Sequence, residues 1–251
     1  MRTLLATVCL ALAPVALAAA SEKRVHKTVP LDSGGILSIN THNGSITVTT
    51  WNEASADIDA VIEPGDMAYA EDVQKTEIRI SGSPSSVRVE SDYSAVPGHV
   101  SWFGVSHSNP PVRYTIKMPA TARLEIDDHN ARVRITGLRG DAEVHSHNGS
   151  IELADFSGAA NIETHNGDVR VAYTRFEKGS SFQTHNGTLD IRLPAAARFH
   201  LNADGHHLGF DSEFPLLAQR MREGRYVGDV NGGGPELRFS THNGSLRLKK
   251  G

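Results

Sequence analysis

One eight-residue phrase recurs through the chain, and that repetition constrains the fold more than any other feature. Thr41-His42-Asn43-Gly44-Ser45-Ile46-Thr47-Val48 returns from Ser146 to Leu153, from Thr164 to Val171, from Thr184 to Ile191 and from Thr241 to Leu248. A further copy, Asp128-His129-Asn130-Ala131-Arg132-Val133-Arg134-Ile135, carries Ala in the Gly slot. Self-similarity of this kind marks a unit that cannot bury its apolar face alone and stacks on its neighbours. Asn130, Asn148 and Asn166 stand 18 residues apart, and Asn186 follows after 20. Another 18 reaches Asp204-Gly205, a degenerate Asn-Gly, and Asn243 lies 39 beyond Asp204, about two periods. Asn43 precedes Asn130 by 87 residues, so an insertion separates the first copy from the main array.

Each period reads as two short strands. Ala142, Val144 and Ser146 alternate with Glu143 and His145, and after the Asn-Gly step Ile151 and Leu153 alternate with Ser150 and Glu152. Period-2 alternation marks half-buried strands. Asn-Gly makes the turn between them, since both residues tolerate positive φ. The turn set is Asn43-Gly44, Asn130, Asn148-Gly149, Asn166-Gly167, Asn186-Gly187 and Asn243-Gly244. The opposite turn uses Gly137 to Gly140, Ser157-Gly158 and Lys178-Gly179. Such turns also suit antiparallel hairpins. A near-identical phrase every 18–20 residues favours instead a coil that advances one rung per period, with like residues stacked about 4.8 Å apart. The expected fold is all-β, a single-stranded parallel β-solenoid with 18–20-residue rungs and capping excursions. Aromatic content of 6% agrees with a narrow interior filled by Val, Ile, Leu, Ala and Thr.

Two stretches leave the pattern. In 52–119, Ala56 to Ile62 reads as a strand and Asp66 to Lys75 as a short helix. Thr76 to Ile80 and Val87 to Glu90 form a hairpin across Ser81 to Ser86. Residues 94–111 read as a loop holding Trp102-Phe103, and Val112 to Met118 as a strand entering the array. Residues 211–235 form the second excursion. Regular rungs occupy 120–210 and the final rung 236–251, all within a single domain over 21–251. Open solenoid ends expose apolar core and unpaired backbone, which both excursions are placed to cap.

The first twenty residues read as an export signal. Arg2 is followed by an apolar run from Leu4 to Leu17 and then by Ala18, Ala19 and Ala20, the small residues a signal peptidase needs. Cys9, the only cysteine, lies inside that run, so no disulfide framework is possible. No later segment is apolar enough for a membrane span, and the formal charge of −4 argues against nonspecific nucleic-acid binding. The expected location is periplasm or cell surface.

Val112-Arg113-Tyr114-Thr115-Ile116-Lys117-Met118-Pro119, then Leu124-Glu125-Ile126, then the repeated Asn-Gly-x-Ile/Val/Leu steps resemble the bacterial "putative adhesin" domain family. The Leu193-Pro194 step and the Leu237 to Leu248 rung are also similar, and the likeness spans roughly 25–249. That resemblance implies a β-solenoid of uncharacterised function with an envelope association. The chain departs from the family pattern in one slot: histidine precedes Asn in all six copies.

Six of the thirteen histidines in 251 residues are therefore one repeated turn residue. His129, His147, His165 and His185 should stack on successive rungs with their side chains outward, and His42 and His242 hold the same slot. Imidazoles on adjacent strands can share a divalent transition metal, and Glu143, His145 and Glu163 lie on the same face to complete a site. A crowded row also suits proton sensing. The plain alternative is that duplication copied a harmless residue. His206-His207 is a separate pair whose side chains diverge if it lies on a strand. Trp102-Phe103 either anchors a partner or closes a solenoid end.

Catalytic signatures are missing. No Gly-x-Ser-x-Gly, His-Glu-x-x-His or phosphate-binding glycine loop occurs, and Asp127-Asp128 points its carboxylates to opposite faces. The sequence reads as a non-catalytic, adhesin-like binding or scaffolding module with no cofactor. Its partner would be an envelope protein or surface ligand. A metal- or pH-responsive envelope protein and a polysaccharide-active enzyme are the alternatives.

Overall fold

The computed structural model describes residues 22–251 apart from 66–69, 98, 102–103, 107–108 and 223. The expected signal and the Trp102-Phe103 pair lie outside the described residues. The strands are β1 (Lys23–Pro30), β2 (Ile36–Asn40), β3 (Asn43–Trp51), β4 (Ser55–Ile62), β5 (Glu77–Ser83), β6 (Ser86–Asp92), β7 (His99–Ser101), β8 (Gly104–Ser106), β9 (Val112–Pro119) and β10 (Arg123–Thr136). They continue as β11 (Ala142–Asn148), β12 (Ile151–Phe156), β13 (Ala160–Asn166), β14 (Val169–Tyr173), β15 (Ser180–Leu193), β16 (Phe199–Ser212), β17 (Leu217–Arg222), β18 (Arg225–Val230) and β19 (Glu236–Lys250). A short helix, α1 (Ala70–Lys75), lies between β4 and β5. The protein is all-β. No helix among the described residues is long and apolar enough to cross a membrane.

The pairings sort into two ladders that meet along the Asn slot. The first runs β17–β18–β16–β19–β15–β13–β11–β10–β2–β6–β5 and is parallel from β16 to β6. The second runs β16–β19–β15–β14–β12–β10–β3–β9–β4–β1 and is parallel from β16 to β9. β10, β15, β16 and β19 belong to both, because each continues through the corner. Within the array the register equals the sequence period: Val144 faces Ile126 and Ile162, and Ile151 faces Val133 and Val169. The hairpin alternative does not hold for the repeats. Among the described residues, antiparallel pairs occur only toward the two ends of the array and in the small β7–β8 hairpin, which occupies part of the stretch expected to be a loop.

Spatial order departs from chain order at both ends. β19 lies between β15 and β16, so the final copy stacks directly on the copy at 184–191. β2 and β3 pair with β10 despite the intervening insertion. The expected corner at Asp204-Gly205 is also corrected. Asp204 pairs with Ser240, and His207 is the residue opposite Asn243.

Inward residues form stacks of like side chains. Ile39, Ile126, Val144 and Ile162 continue as Phe182 and Phe239, all at most 2% exposed. Eight of the described aromatics are buried, Tyr114, Phe156, Tyr173, Phe176, Phe182, Phe199, Phe214 and Phe239, contrary to the expectation of a ring-poor interior. Phe156, Tyr173, Phe176, Phe199 and Phe214 form a chain with ring centroids 5.1–6.0 Å apart. Tilted and edge-to-face contacts of this kind add to the area each ring buries.

The corners do not use the expected positive φ at Asn. Asp155 and Asn231 are the non-glycine residues with positive φ among those described. Gly44 and Gly149 do adopt it, at 125° and 136°. Gly167 is required by proximity instead, since a Cβ there would sit 1.9 Å from the Gly149 carbonyl oxygen. Ala131 is tolerated in a rung of different construction, where the buried Asp128 accepts its N–H at 2.8 Å.

Candidate functional site

The residue before each corner Asn faces out because the one before it, Thr or Ser, or Asp128 before His129, faces in. Thr41, Ser146, Thr164, Thr184 and Thr241 are buried. His129, His147, His165, His185 and His242 are exposed, and His42 is half-buried. Their rings form one column. Centroids are 4.8 Å apart from His42 to His129, 4.7 to His147, 4.9 to His165, 4.7 to His185 and 4.8 to His242. Interplanar angles are 1–4° throughout. Tyr93 meets His42 edge-on at 6.4 Å at one end. Burial and the neighbouring His129 lower the pKa of His42 below the ordinary histidine value.

Beside the column runs an amide ladder. Asn130 donates to the Oδ1 of Asn43 at 3.0 Å, Asn148 to Asn130 at 2.7, and Asn166 to Asn148 at 3.0. Asn186 donates to Asn166 at 2.9 Å and Asn243 to Asn186 at 3.1. Asn43 passes its own N–H to the Asn109 carbonyl at 3.1 Å. Each amide uses both ends, so the donors all point one way and polarise one another. His207 takes the next Asn slot, with Nδ1 3.0 Å from the Oδ1 of Asn243.

Two residues upstream, on the same face, stand Asp127, His145, Glu163, Gln183 and Ser240. Between this row and the imidazoles lies an open trough of about 730 Å³, which Asp127, His145, Glu163 and Gln183 line opposite the rings. The expected grouping of Glu143, His145 and Glu163 is present. His145 lies 3.1 Å from Glu143 through Nε2 and 3.5 Å from Glu163 through Nδ1. Arg123 also pairs with Glu143, whose pKa is lowered first by the His145 contact. Both ring nitrogens of His145 are thus committed to carboxylates. Beneath the trough, Asp128 is 6% exposed and its pKa is pushed up to about 6, chiefly by burial.

The column does not converge on an ion as it stands. A nitrogen lone pair lies in its ring plane, so parallel rings 4.7–4.9 Å apart aim their lone pairs side by side. Two donors at about 2.1 Å from one tetrahedral ion lie roughly 3.4 Å apart. Among the described residues no three His, Cys, Asp or Glu side chains are grouped to hold a metal ion.

Sequence reasoning singled out His206 but missed its place in the column. Gly205 pairs with Thr241 and His207 with Asn243, which places His206 in the histidine slot. The expectation that His206 and His207 diverge is wrong. Their centroids are 4.3 Å apart and their Nδ1 atoms 3.1 Å apart. The signal was an alignment of Gly205-His206-His207 on Thr-His-Asn, hidden by the stronger likeness of Asp204-Gly205 to Asn-Gly.

The sequence model of a family described as Toastrack DUF4097 matches residues 28–248. Among solved structures, a "putative cell adhesion protein" from Clostridium sporogenes is similar at 12% identity and a TM-score of 0.53, covering 92% of this chain and 100% of that one. A "putative adhesin" from Bacteroides fragilis is similar at 12% identity and a TM-score of 0.47, covering 91% and 98%. At 12% identity the first of these likenesses concerns the fold alone. No curated protein matches the chain in sequence.

Proposed function

The chain belongs to the Toastrack DUF4097 family, and from that premise we propose a non-catalytic binding module, exported to the periplasm or cell surface. Its array is read as a parallel β-solenoid, supported by ladder register at the 18- and 20-residue periods. The observation that carries the function is the trough beside the histidine column. One wall repeats a histidine on every rung, the other varies from rung to rung through carboxylate, imidazole, amide and hydroxyl groups, and the trough stays open along its length. Such a surface suits an extended polar chain, which meets an imidazole at each rung on one side and a different polar group on the other. Export is supported by the Arg2, Leu4 to Leu17 and Ala18–Ala20 pattern. The described neighbours, a cell adhesion protein and an adhesin by their names, agree with this reading.

The test is co-sedimentation of residues 22–251 with isolated cell envelopes and with insoluble linear polysaccharides. Saturable retention is expected, weakened roughly tenfold by Glu163→Lys with Gln183→Lys, a loss equivalent to about 1.4 kcal/mol. Retention that never saturates, or release of new reducing ends from the polysaccharide, overturns the proposal.

A further inference from the structure

The histidine column is regular over six rings and irregular at the seventh, and the irregular end has different chemistry. His206 is tilted 52° from His242, with centroids 5.3 Å apart, and 39° from His207. Tilting removes the parallel arrangement that keeps the stacked lone pairs apart. It brings the Nδ1 atoms of His206 and His207 to 3.1 Å. Two donors on one transition-metal ion lie about 3.0 Å apart at a right angle and roughly 3.4 Å at a tetrahedral angle, for bonds near 2.1 Å. The observed separation falls between these. The Oδ1 of Asn243 lies 3.0 Å from the same His207 nitrogen, within reach as a third, oxygen donor. Both imidazoles are exposed, so an ion has direct access and solvent can fill its remaining positions.

We propose that His206 and His207, with the Asn243 carbonyl, form a chelating site for one divalent transition metal of imidazole preference, copper, nickel or zinc. The site lies at the end of the column and is not a property of the stacked rings. The protein supplies two nitrogens and an amide oxygen, in keeping with the absence of any three-residue His, Cys, Asp or Glu group among the described residues. Neutral imidazole carries one N–H. In the hydrogen-bonded arrangement His207 Nδ1 carries it and donates to the Asn243 oxygen, which accepts only. Metal binding moves that proton to Nε2 and leaves both Nδ1 lone pairs for the ion. A two-imidazole site ranks these metals in the order copper above nickel and zinc. The proposal is independent of the trough, which lies along the regular part of the column.

The experiment is titration calorimetry of tag-free residues 22–251 with copper(II), nickel(II) and zinc(II), paired with electron paramagnetic resonance of the copper form. One equivalent of saturable copper uptake is expected, with a spectrum showing two equatorial nitrogens. His206→Gln and His207→Gln should each weaken uptake at least tenfold, while His147→Gln with His165→Gln leaves it within about twofold. Circular dichroism confirms that each variant is folded. Absence of saturable uptake overturns the proposal. So does uptake that survives the His206→Gln, His207→Gln double variant, or that is lost from the His147, His165 variant instead.

Discussion

Single positions in the corner carry more than their small side chains suggest. At Gly149, with φ of 136°, an added Cβ would lie 2.0 Å from the Ala131 carbonyl oxygen, whereas at Gly34 nothing lies within 4 Å. Gly149→Ala should therefore cost about 3 kcal/mol or more, and Gly34→Ala about 0.5 kcal/mol or less, as urea denaturation would measure. Equal costs would mean that the corner is not tightly packed. Asp128 tests the same corner from inside. Its pKa rises from 3.8 to about 6 on folding, so the folded state binds its proton more tightly than the unfolded state. The stability this contributes is fully present below 3.8 and is lost as pH rises through about 6. Asp128→Asn keeps an acceptor for the Ala131 N–H and removes the charge. It should be more stable than the wild type at pH 7.5, and its advantage should shrink by about 2 kcal/mol at pH 4.5. An advantage that does not change with pH would refute the buried-charge account. Glycine was legible in the sequence as a requirement, but its reason was not. A close approach between rungs is a property of stacking, and only Gly44 and Gly149 need the φ that sequence reasoning assigned to them all.

The strands themselves were legible wherever residues alternate, because burial on one face leaves a period of two in any sequence. β11 to β14 follow from Val144, Ile151, Ile162 and Val169 alone. The column was legible for the same reason, since identical periods must superpose equivalent residues. Its extension to His206 was not, because that rung replaces Asn by His207 and Gly by Leu208 and so loses the signature while keeping the geometry. Stacking has an electrostatic consequence. Two protonated rings 4.8 Å apart repel by about 0.9 kcal/mol even in a water-like dielectric, and more where solvent is partly excluded. His42 already shows the effect as a lowered pKa, caused by burial and then by His129. A lowered folded-state value means that its contribution is present above the ordinary histidine range and is lost as pH falls through the folded value. Replacing His129, the ring beside His42, by Gln should therefore reduce the fall in melting temperature between pH 7.5 and 5.0. A variant that loses as much as the wild type on acidification would show that the contact between His42 and His129 carries no linked repulsion.

At the scale of the molecule, the arrangement of the rungs matters more than their number. A period of 18 residues specifies that rungs stack, but a rung matches either neighbour equally well, so their order is invisible in the sequence. Chain order would make the last copy an outer layer. Instead β19 lies between β15 and β16, with Leu237, Phe239, Leu246 and Leu248 at most 1% exposed. Burying four such side chains contributes roughly 6–12 kcal/mol, comparable to the whole net stability of a domain. The two placements predict different results for a chain ending at Pro235. If the last copy were an outer layer, the remaining rungs would keep a cooperative transition a few degrees lower. With β19 inside, β15 and β16 lose their shared partner, and each exposes an apolar interior and an unpaired edge. The truncated chain should show no cooperative thermal unfolding by circular dichroism and should aggregate. A separate peptide of residues 236–251 should restore the transition when added in excess, because it supplies the missing rung in trans. Cooperative melting of the truncated chain without the peptide would place β19 at the surface and refute the interleaved order.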